Sequence, residues 1–184
     1  VEAYDLDPAL TPRFHRELLI EAIRGKHAPE NVVLLEIDPL HQKTLCDFVM
    51  TEKLTGVRPV CITQVKKRGR KLYCDDDIPI HRIYNRAIID EQMRRGITAP
   101  FNWTDDLDVE WAGHPNYYFR ISKFSLPHID HPSVPKTLFL DRIAKLPEDL
   151  SRWVLKPLYS FAGLGVVVGP TEADIPQDRR DWVL

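Results

Sequence analysis

The segment from residue 32 to residue 37, VVLLEI, sets the fold class of this chain. It has the length of a β-strand and is apolar at neighbouring positions, so both faces of the strand must be covered. Strands of this kind occur in parallel sheets that carry helices on both faces, whereas strands with one solvated face alternate apolar and polar residues. The segment therefore predicts an α/β fold built on an open sheet.

Helix and strand patterns alternate around this segment. Thr11 followed by Pro12 predicts a helix start, because a hydroxyl can cap the first turn and proline fits its first position. Gly25 predicts the end of that helix. The remaining patterns predict helices at 41–54 and 86–95, strands at 57–65 and 80–84, and a hairpin with its tip at 66–71 and its return at 72–74.

The composition changes after residue 99. Residues 100–115 are rich in Trp, Asp, Asn and Pro and predict a long irregular connection, and the proline-containing segment 128–135 predicts a loop. Short helices are expected at 116–125 and 138–146, and a two-stranded element at 152–168. The predicted organisation is a helical segment (1–30), an α/β domain (31–99), a linker with a short helix (100–135) and a last subdomain (136–184).

Composition and charge exclude several classes of partner. The 184 residues are 43% hydrophobic and 28% charged, the ordinary balance of a globular protein with its own core. A net charge of -2 gives no general attraction to nucleic acid or to an anionic membrane, so any anion must be bound locally. Cys46, Cys61 and Cys74 lack metal-ligand spacing, and no apolar run is long enough to cross a bilayer. We expect a cytoplasmic protein.

The segment 153–169, WVLKPLYSFAGLGVVVG, carries the residues best suited to bind an anion. Gly163 and Gly165 let backbone amides approach a ligand, Ser160 adds a hydroxyl donor, and Lys156 at the strand end supplies a positive charge suited to phosphate. A plain glycine turn with a lysine extended into solvent is the alternative, and on spacing alone it is the commoner structure. The spacing matches neither a P-loop nor a dinucleotide-binding fingerprint.

A strand ending in Val-Leu-Lys-Pro, a serine and glycine loop and a Val-Val-Val strand together resemble the phosphate-covering loop of the ATP-grasp superfamily. Upstream, Lys123 precedes the segment 133–137 at the distance at which that superfamily places an earlier nucleotide-binding lysine, with Arg120 as the competing residue. The segment 80–86, IHRIYNR, is similar to a strand of circularly permuted, glutathionylspermidine-synthase-like members. The resemblance extends from residue 31 to the end of the chain.

The resemblance implies a pre-ATP-grasp-like sheet with helices, followed by a partial α+β nucleotide-binding subdomain. It also implies an ATP-dependent ligase that joins a small-molecule or peptide carboxylate to an amine through an acyl-phosphate. In that scheme Lys123 and Lys156 hold the phosphates of ATP, and the amides near Ser160, Gly163 and Gly165 cover them.

In the same superfamily a later subdomain holds Mg²⁺ through acidic and asparagine side chains. After Gly169 the chain offers only Glu172, Asp174, Asp178 and Asp181 in a short polar tail. We therefore expect the magnesium ligands to lie outside this chain, and the start at Val1 also indicates a piece of a longer protein. The alternatives are a non-catalytic α/β interaction domain, a fragment without its catalytic half, or a nucleotide-sugar transferase-like domain.

Two other groups of residues are candidates for binding. His114, His128, His131 and Asp130 include the ligand types of a zinc site, but they lie near prolines in a loop, where polar residues usually form turns. The basic run 66–71 lacks the interleaved aromatic residues of a surface for single-stranded nucleic acid, so a solvated hairpin tip is favoured.

Overall fold

A computed structural model describes residues 11–75, 77–119, 122–160 and 163–184 and has an α/β fold. The chain divides into two compact units, Val1–Pro115 (unit 1) and Asn116–Leu184 (unit 2). Unit 1 contains a parallel sheet with helices, and unit 2 contains a small antiparallel sheet. Within the described ranges, none of the helices has the length and apolar character needed to cross a membrane.

Unit 1 is built on a four-stranded parallel sheet in the order β2-β1-β6-β7, beside a three-stranded antiparallel sheet in the order β3-β4-β5. Its helices are α1 (Pro12–Arg24), α2 (Leu45–Thr55) and α3 (Ile89–Arg94). Its strands are β1 (Val32–Glu36), β2 (Arg58–Cys61), β3 (Lys66–Arg68), β4 (Lys71–Cys74), β5 (Ile78–Ile80), β6 (Arg82–Asn85) and β7 (Glu110–Ala112).

The central strand β1 confirms the prediction from VVLLEI, because all five of its residues are buried. Val33 and Leu35 pack into one apolar cluster, and Val32 and Leu34 pack into another that includes Phe48 of α2. The strand pairs in parallel with β2 on one side and with β6 on the other. A strand covered in this way has no solvated face, which is why its apolar residues do not alternate with polar ones.

The first helix also begins and ends as predicted. The hydroxyl of Thr11 accepts a hydrogen bond of 3.2 Å from the amide of Phe14, and Pro12 occupies the first turn. The chain leaves the helix at Gly25, whose φ of 57° favours glycine. Arg82 of β6 donates to the carbonyl oxygens of Ala22 and Ile23, so a cation neutralises the exposed end of α1.

Several predicted boundaries in unit 1 are wrong. Helix α2 begins at Leu45 and not at residue 41, and the strand predicted at 57–65 ends at Cys61. There a 3-10 turn follows, in which the side chain of Gln64 accepts from the amide of Cys61 at 3.2 Å. The segment 100–115, predicted to be irregular, contains the three-residue strand β7, which pairs with β6. A strand this short leaves no recognisable pattern in the composition.

Unit 2 is organised around β8 (Val154–Pro157), which lies between β9 (Val167–Val168) and β10 (Trp182–Val183). The predicted two-stranded element at 152–168 is confirmed by the antiparallel pairing of β8 with β9. The polar tail nevertheless contains β10, which pairs with β8. The pairing places Val183 opposite Lys156, at the end of β8 that leads into the glycine loop.

The helix predicted at 138–146 is wrong, because only Leu140–Arg142 form one 3-10 turn. The backbone of Leu138 exchanges two hydrogen bonds with Leu184, at 2.8 and 2.9 Å, so its amide and carbonyl are not available to a helix. Phe139 and Leu140 are then buried in two separate apolar clusters. The described part of the helix predicted at 116–125 contains the 3-10 helix Pro115–Phe119 and a turn at 122–125.

Glu36 is an ionisable residue inside the core of unit 1, where only 6% of its surface is exposed. Burial raises the pKa of its carboxyl to about 7, against the lowering effect of a 2.7 Å hydrogen bond from the amide of Ile37. The charge of Glu91 raises this pKa further, whereas the charges of Arg86 and Arg95 lower it. Desolvation of the charged form is the largest of these effects.

We expect the stability of the protein to fall as the pH rises from about 4.5 to about 7, the interval between the ordinary and the folded pKa of Glu36. In that interval the folded protein retains a proton that the unfolded chain has released, so rising pH favours unfolding. The contribution is on the order of 3 kcal/mol.

Urea unfolding at about pH 5 and about pH 8 measures this effect. Glu36→Gln should lose the part of the pH dependence that comes from Glu36, while the exposed Glu52→Gln control should keep the wild-type dependence. An unchanged pH dependence in Glu36→Gln would contradict the assignment.

Candidate functional site

The candidate site lies in unit 2, where β8 ends and the chain turns back towards β9. Lys156 is the third residue of β8 and is half-buried, and its neighbour Leu155 is fully buried in an apolar cluster. Because side chains alternate along a strand, the buried Leu155 fixes the side chain of Lys156 on the opposite face. Ser160 follows three residues after Pro157 and is also half-buried.

Lys123 reaches the site from an earlier turn. Its ammonium group donates a hydrogen bond of 2.7 Å to the hydroxyl of Ser160 and one of 2.9 Å to the carbonyl oxygen of the same residue. The turn is held in place by Phe124, whose ring lies 5.3 Å from the ring of Phe139 in an apolar cluster that also contains Val183. The predicted residues Lys123 and Ser160 are therefore in direct contact.

The two lysines are close enough to affect each other electrostatically. Partial burial, followed by the charge of Lys156, lowers the pKa of Lys123. Among the described residues, no carboxylate forms an ion pair with either lysine. Two cations beside each other without an anion repel, and this repulsion would be relieved by an anionic ligand between them.

The glycines return the chain over the end of β8. Gly163 and Gly165 have φ angles of 77° and 72°, in the left-handed region that favours glycine. A Cβ atom at Gly165 would lie 2.8 Å from Cγ of Pro157, whereas a Cβ atom at Gly163 would meet nothing within 4 Å. No described group accepts a hydrogen bond from the amide of either glycine. Within the described residues both amides are therefore unused, and amides of this kind can donate to an anion.

The five predicted residues thus have different levels of support. A hydrogen bond joins Lys123 to Ser160, and the charge of Lys156 lowers the pKa of Lys123. Gly165 lies against Pro157, next to Lys156 in the chain. Arg120, the competitor of Lys123, lies outside the described residues, so the choice between the two stays a prediction.

The contact between Lys123 and Ser160 also has the spacing of a serine nucleophile and its base. A base must accept a proton from the hydroxyl through its own lone pair. Here the amine of Lys123 binds both the hydroxyl and the carbonyl oxygen of Ser160. An ammonium can donate both bonds, so the arrangement favours an anion-binding cation over a base.

The histidines of the second half have structural contacts. The ring of His114 packs edge-on against Trp111 at 5.0 Å, and the ring of His128 lies 5.3 Å from that of Phe139. His131 accepts a hydrogen bond of 3.1 Å from the amide of Ser133. In the described part of the chain, no group of three or more His, Cys, Asp or Glu side chains could hold a metal ion.

The basic hairpin of unit 1 is largely neutralised by acidic residues of the same unit. These ion pairs join Lys66 and Arg68 to Asp77, Lys67 to Asp105, and Arg70 to both Asp106 and Asp108. The hairpin therefore binds the irregular segment that contains Asp105, Asp106 and Asp108. This pairing gives the basic run an intramolecular role.

The sequence analysis did not identify Glu36 as a functional candidate. The signal was present, because a glutamate interrupts an apolar run whose other residues are all buried. Compared with known proteins, the chain matches no protein-family model and no curated protein at a significant level.

Proposed function

We propose that unit 2 binds the phosphates of ATP as the nucleotide-binding part of an ATP-dependent ligase. The observation that carries this proposal is the contact of Lys123 with Ser160, near enough to Lys156 for its charge to lower the pKa of Lys123. No described carboxylate pairs with either lysine. Lysines used only for solubility are normally solvated, whereas both of these are half-buried. Phosphate oxygens would supply the missing negative charge.

Each residue then has a definite role. Lys156 projects from a rigid strand and acts as a fixed positive charge, and Lys123 leaves its hydrogen bonds to Ser160 to meet a phosphate oxygen. The hydroxyl of Ser160 and the amides of Gly163 and Gly165 add neutral donors. Catalysis by such a group consists of positioning the nucleotide and neutralising its charge.

The reaction class rests on the resemblance to the ATP-grasp superfamily. In that reaction a carboxylate oxygen attacks the γ-phosphorus and ADP leaves. An amine or a similar nucleophile then attacks the acyl carbon of the acyl-phosphate, inorganic phosphate leaves, and the nucleophile loses a proton. The described residues contain no cluster suited to Mg²⁺, and we assign no metal-dependent step to this chain. A small-molecule or peptide carboxylate is the proposed substrate, and the cytoplasm is the proposed compartment.

Calorimetric titration of the protein with ATP, ADP, AMP and adenosine tests the proposal. Affinity should increase with the number of phosphates, and ATP should bind at least about a hundredfold more tightly than adenosine, because several charge-assisted hydrogen bonds are added. Equal affinities across the series would contradict a phosphate site. No binding of any nucleotide would favour the non-catalytic domain, and tighter binding of a nucleotide sugar would favour the transferase-like alternative.

A further inference from the structure

The parallel sheet of unit 1 has a point where the chain changes direction between neighbouring strands. From β1 the chain continues through α2 to β2 on one side of β1, whereas β6 lies on the other side and is followed by α3. The segments that follow β1 and β6 therefore diverge at the carboxyl ends of two adjacent strands. In open α/β sheets, ligands bind in the crevice at such a point.

Glu36 is the last residue of β1 and therefore lies at this edge. Three other acidic residues of unit 1 each have a cation: Asp38 pairs with His41 and Arg95, Asp47 pairs with Arg86, and Glu91 pairs with Arg95. Glu36 is more buried than these acids, yet no cationic group in the described residues lies within ion-pair distance of it. A buried carboxylate without a cation is energetically unfavourable.

The two diverging segments are also joined to each other. The side chain of Gln42 donates to Ile37 O at 2.8 Å and to the carboxylate of Glu91 at 3.2 Å. Asp38 has a left-handed φ of 48°, which is uncommon outside glycine, and strained backbone of this kind is concentrated at binding sites.

At the end of β6, Asn85 has a buried side-chain oxygen without a hydrogen-bond partner. Its backbone is in register with Leu35, the residue before Glu36. Because side chains alternate along a strand, Asn85 shares the face of Leu35, and Glu36 lies on the opposite face of the sheet. Glu36 accepts one hydrogen bond, from the amide of Ile37, but it has no cation, so the donor it lacks is a positively charged one.

We propose that the carboxyl ends of β1 and β6 form a second ligand site, in which Glu36 binds the protonated amine of a small molecule. The ammonium group supplies both the missing positive charge and hydrogen-bond donors for Glu36. The site belongs to unit 1 and depends on none of the residues of the phosphate site.

The charges around Glu36 determine how binding depends on pH. Glu91 disfavours the ionised carboxylate, and Arg86 and Arg95 favour it. A bound ammonium also favours ionisation, so binding should lower the pKa of Glu36. By linkage, amine affinity should increase as the pH rises through about 7.

NMR titration with n-butylammonium chloride tests the proposal, with the carboxyl groups of the glutamates labelled with ¹³C. We expect a saturable shift of the Glu36 resonance and a lower pKa. Tetramethylammonium chloride has the same charge but no N–H donor and should produce neither effect. Glu36→Gln should weaken butylammonium binding at least about tenfold, whereas the exposed Glu52→Gln should leave it unchanged.

The wild-type titration decides the matter even if Glu36→Gln does not fold. A Glu36 pKa that is identical with and without saturating butylammonium would overturn the proposal. Equal responses to both cations would overturn it as well, because ionic strength would then explain the shift. Lys156→Ala should keep the amine response, so a failure of the phosphate site and a failure of this site can be told apart.

Discussion

Replacing Lys156 with alanine is expected to weaken ATP binding roughly 10- to 100-fold, because a hydrogen bond to a charged group is lost. The free energy of unfolding should change by no more than about 0.5 kcal/mol, since the lysine has no described ion-pair partner whose charge would be left unpaired. Paired ATP titrations and urea melts of the wild type and Lys156→Ala measure both quantities.

Lys145→Ala is the matched control for this experiment. The Lys145 side chain is 83% exposed and lies 3.7 Å from Glu148 in a surface ion pair, which contributes little to stability. Neither ATP affinity nor stability should change in that variant. Unchanged ATP affinity in Lys156→Ala would remove Lys156 from the site, and a stability loss of about 3 kcal/mol or more would assign it a structural role.

Gly165→Ala is expected to destabilise the protein by roughly 2–4 kcal/mol, through left-handed strain and a clash with the ring of Pro157. Gly163→Ala isolates the first contribution, because Gly163 has a similar φ but open space around its Cβ position. That variant should lose only about 1–2 kcal/mol.

Urea unfolding of the two alanine variants beside the wild type measures this difference. A larger loss for Gly165→Ala would support the close approach of the glycine loop to the end of β8. Equal losses in the two variants would mean that Gly165 does not pack against Pro157, and the loop would then not be fixed against the end of β8.

The sequence was sufficient to predict the elements whose local signals agree with their packing. The run VVLLEI became a fully buried strand, and the pattern of Thr11, Pro12 and Gly25 set both ends of α1. In β1 the residues that favour a strand are also those that the core requires, and at α1 the capping signals act on neighbouring residues of the chain. Local and tertiary preferences then point to the same structure.

The sequence failed where distant residues determine the conformation. The spacing of apolar residues at 138–146 predicts a helix. Leu138 instead pairs with Leu184, which is far away in the chain, and this pairing prevents the helix. Strand β7 is only three residues long and depends on its register with β6. No periodic pattern within either segment contains that information.

The residues of the candidate site likewise include some that sequence spacing groups together and some that only the fold brings together. Lys156, Ser160, Gly163 and Gly165 lie within one short segment, so their grouping could be predicted from spacing. The contact of Lys123 with Ser160 joins residues 37 positions apart. Only the resemblance to the ATP-grasp superfamily indicated that Lys123 belongs to the same site as Ser160. The unpaired carboxylate of Glu36 was not predictable, because it depends on which cations the neighbouring acids bind.

The most direct test of the phosphate site is an NMR titration of the backbone amides of the eight glycines with ATP. We expect saturable shifts of the Gly163 and Gly165 amides that are much larger with ATP than with adenosine, while Gly69 and Gly96 in the turns of unit 1 do not respond. If ATP saturates the protein and the Gly163 and Gly165 amides do not move, or if all four glycines shift equally, the proposed phosphate site is wrong.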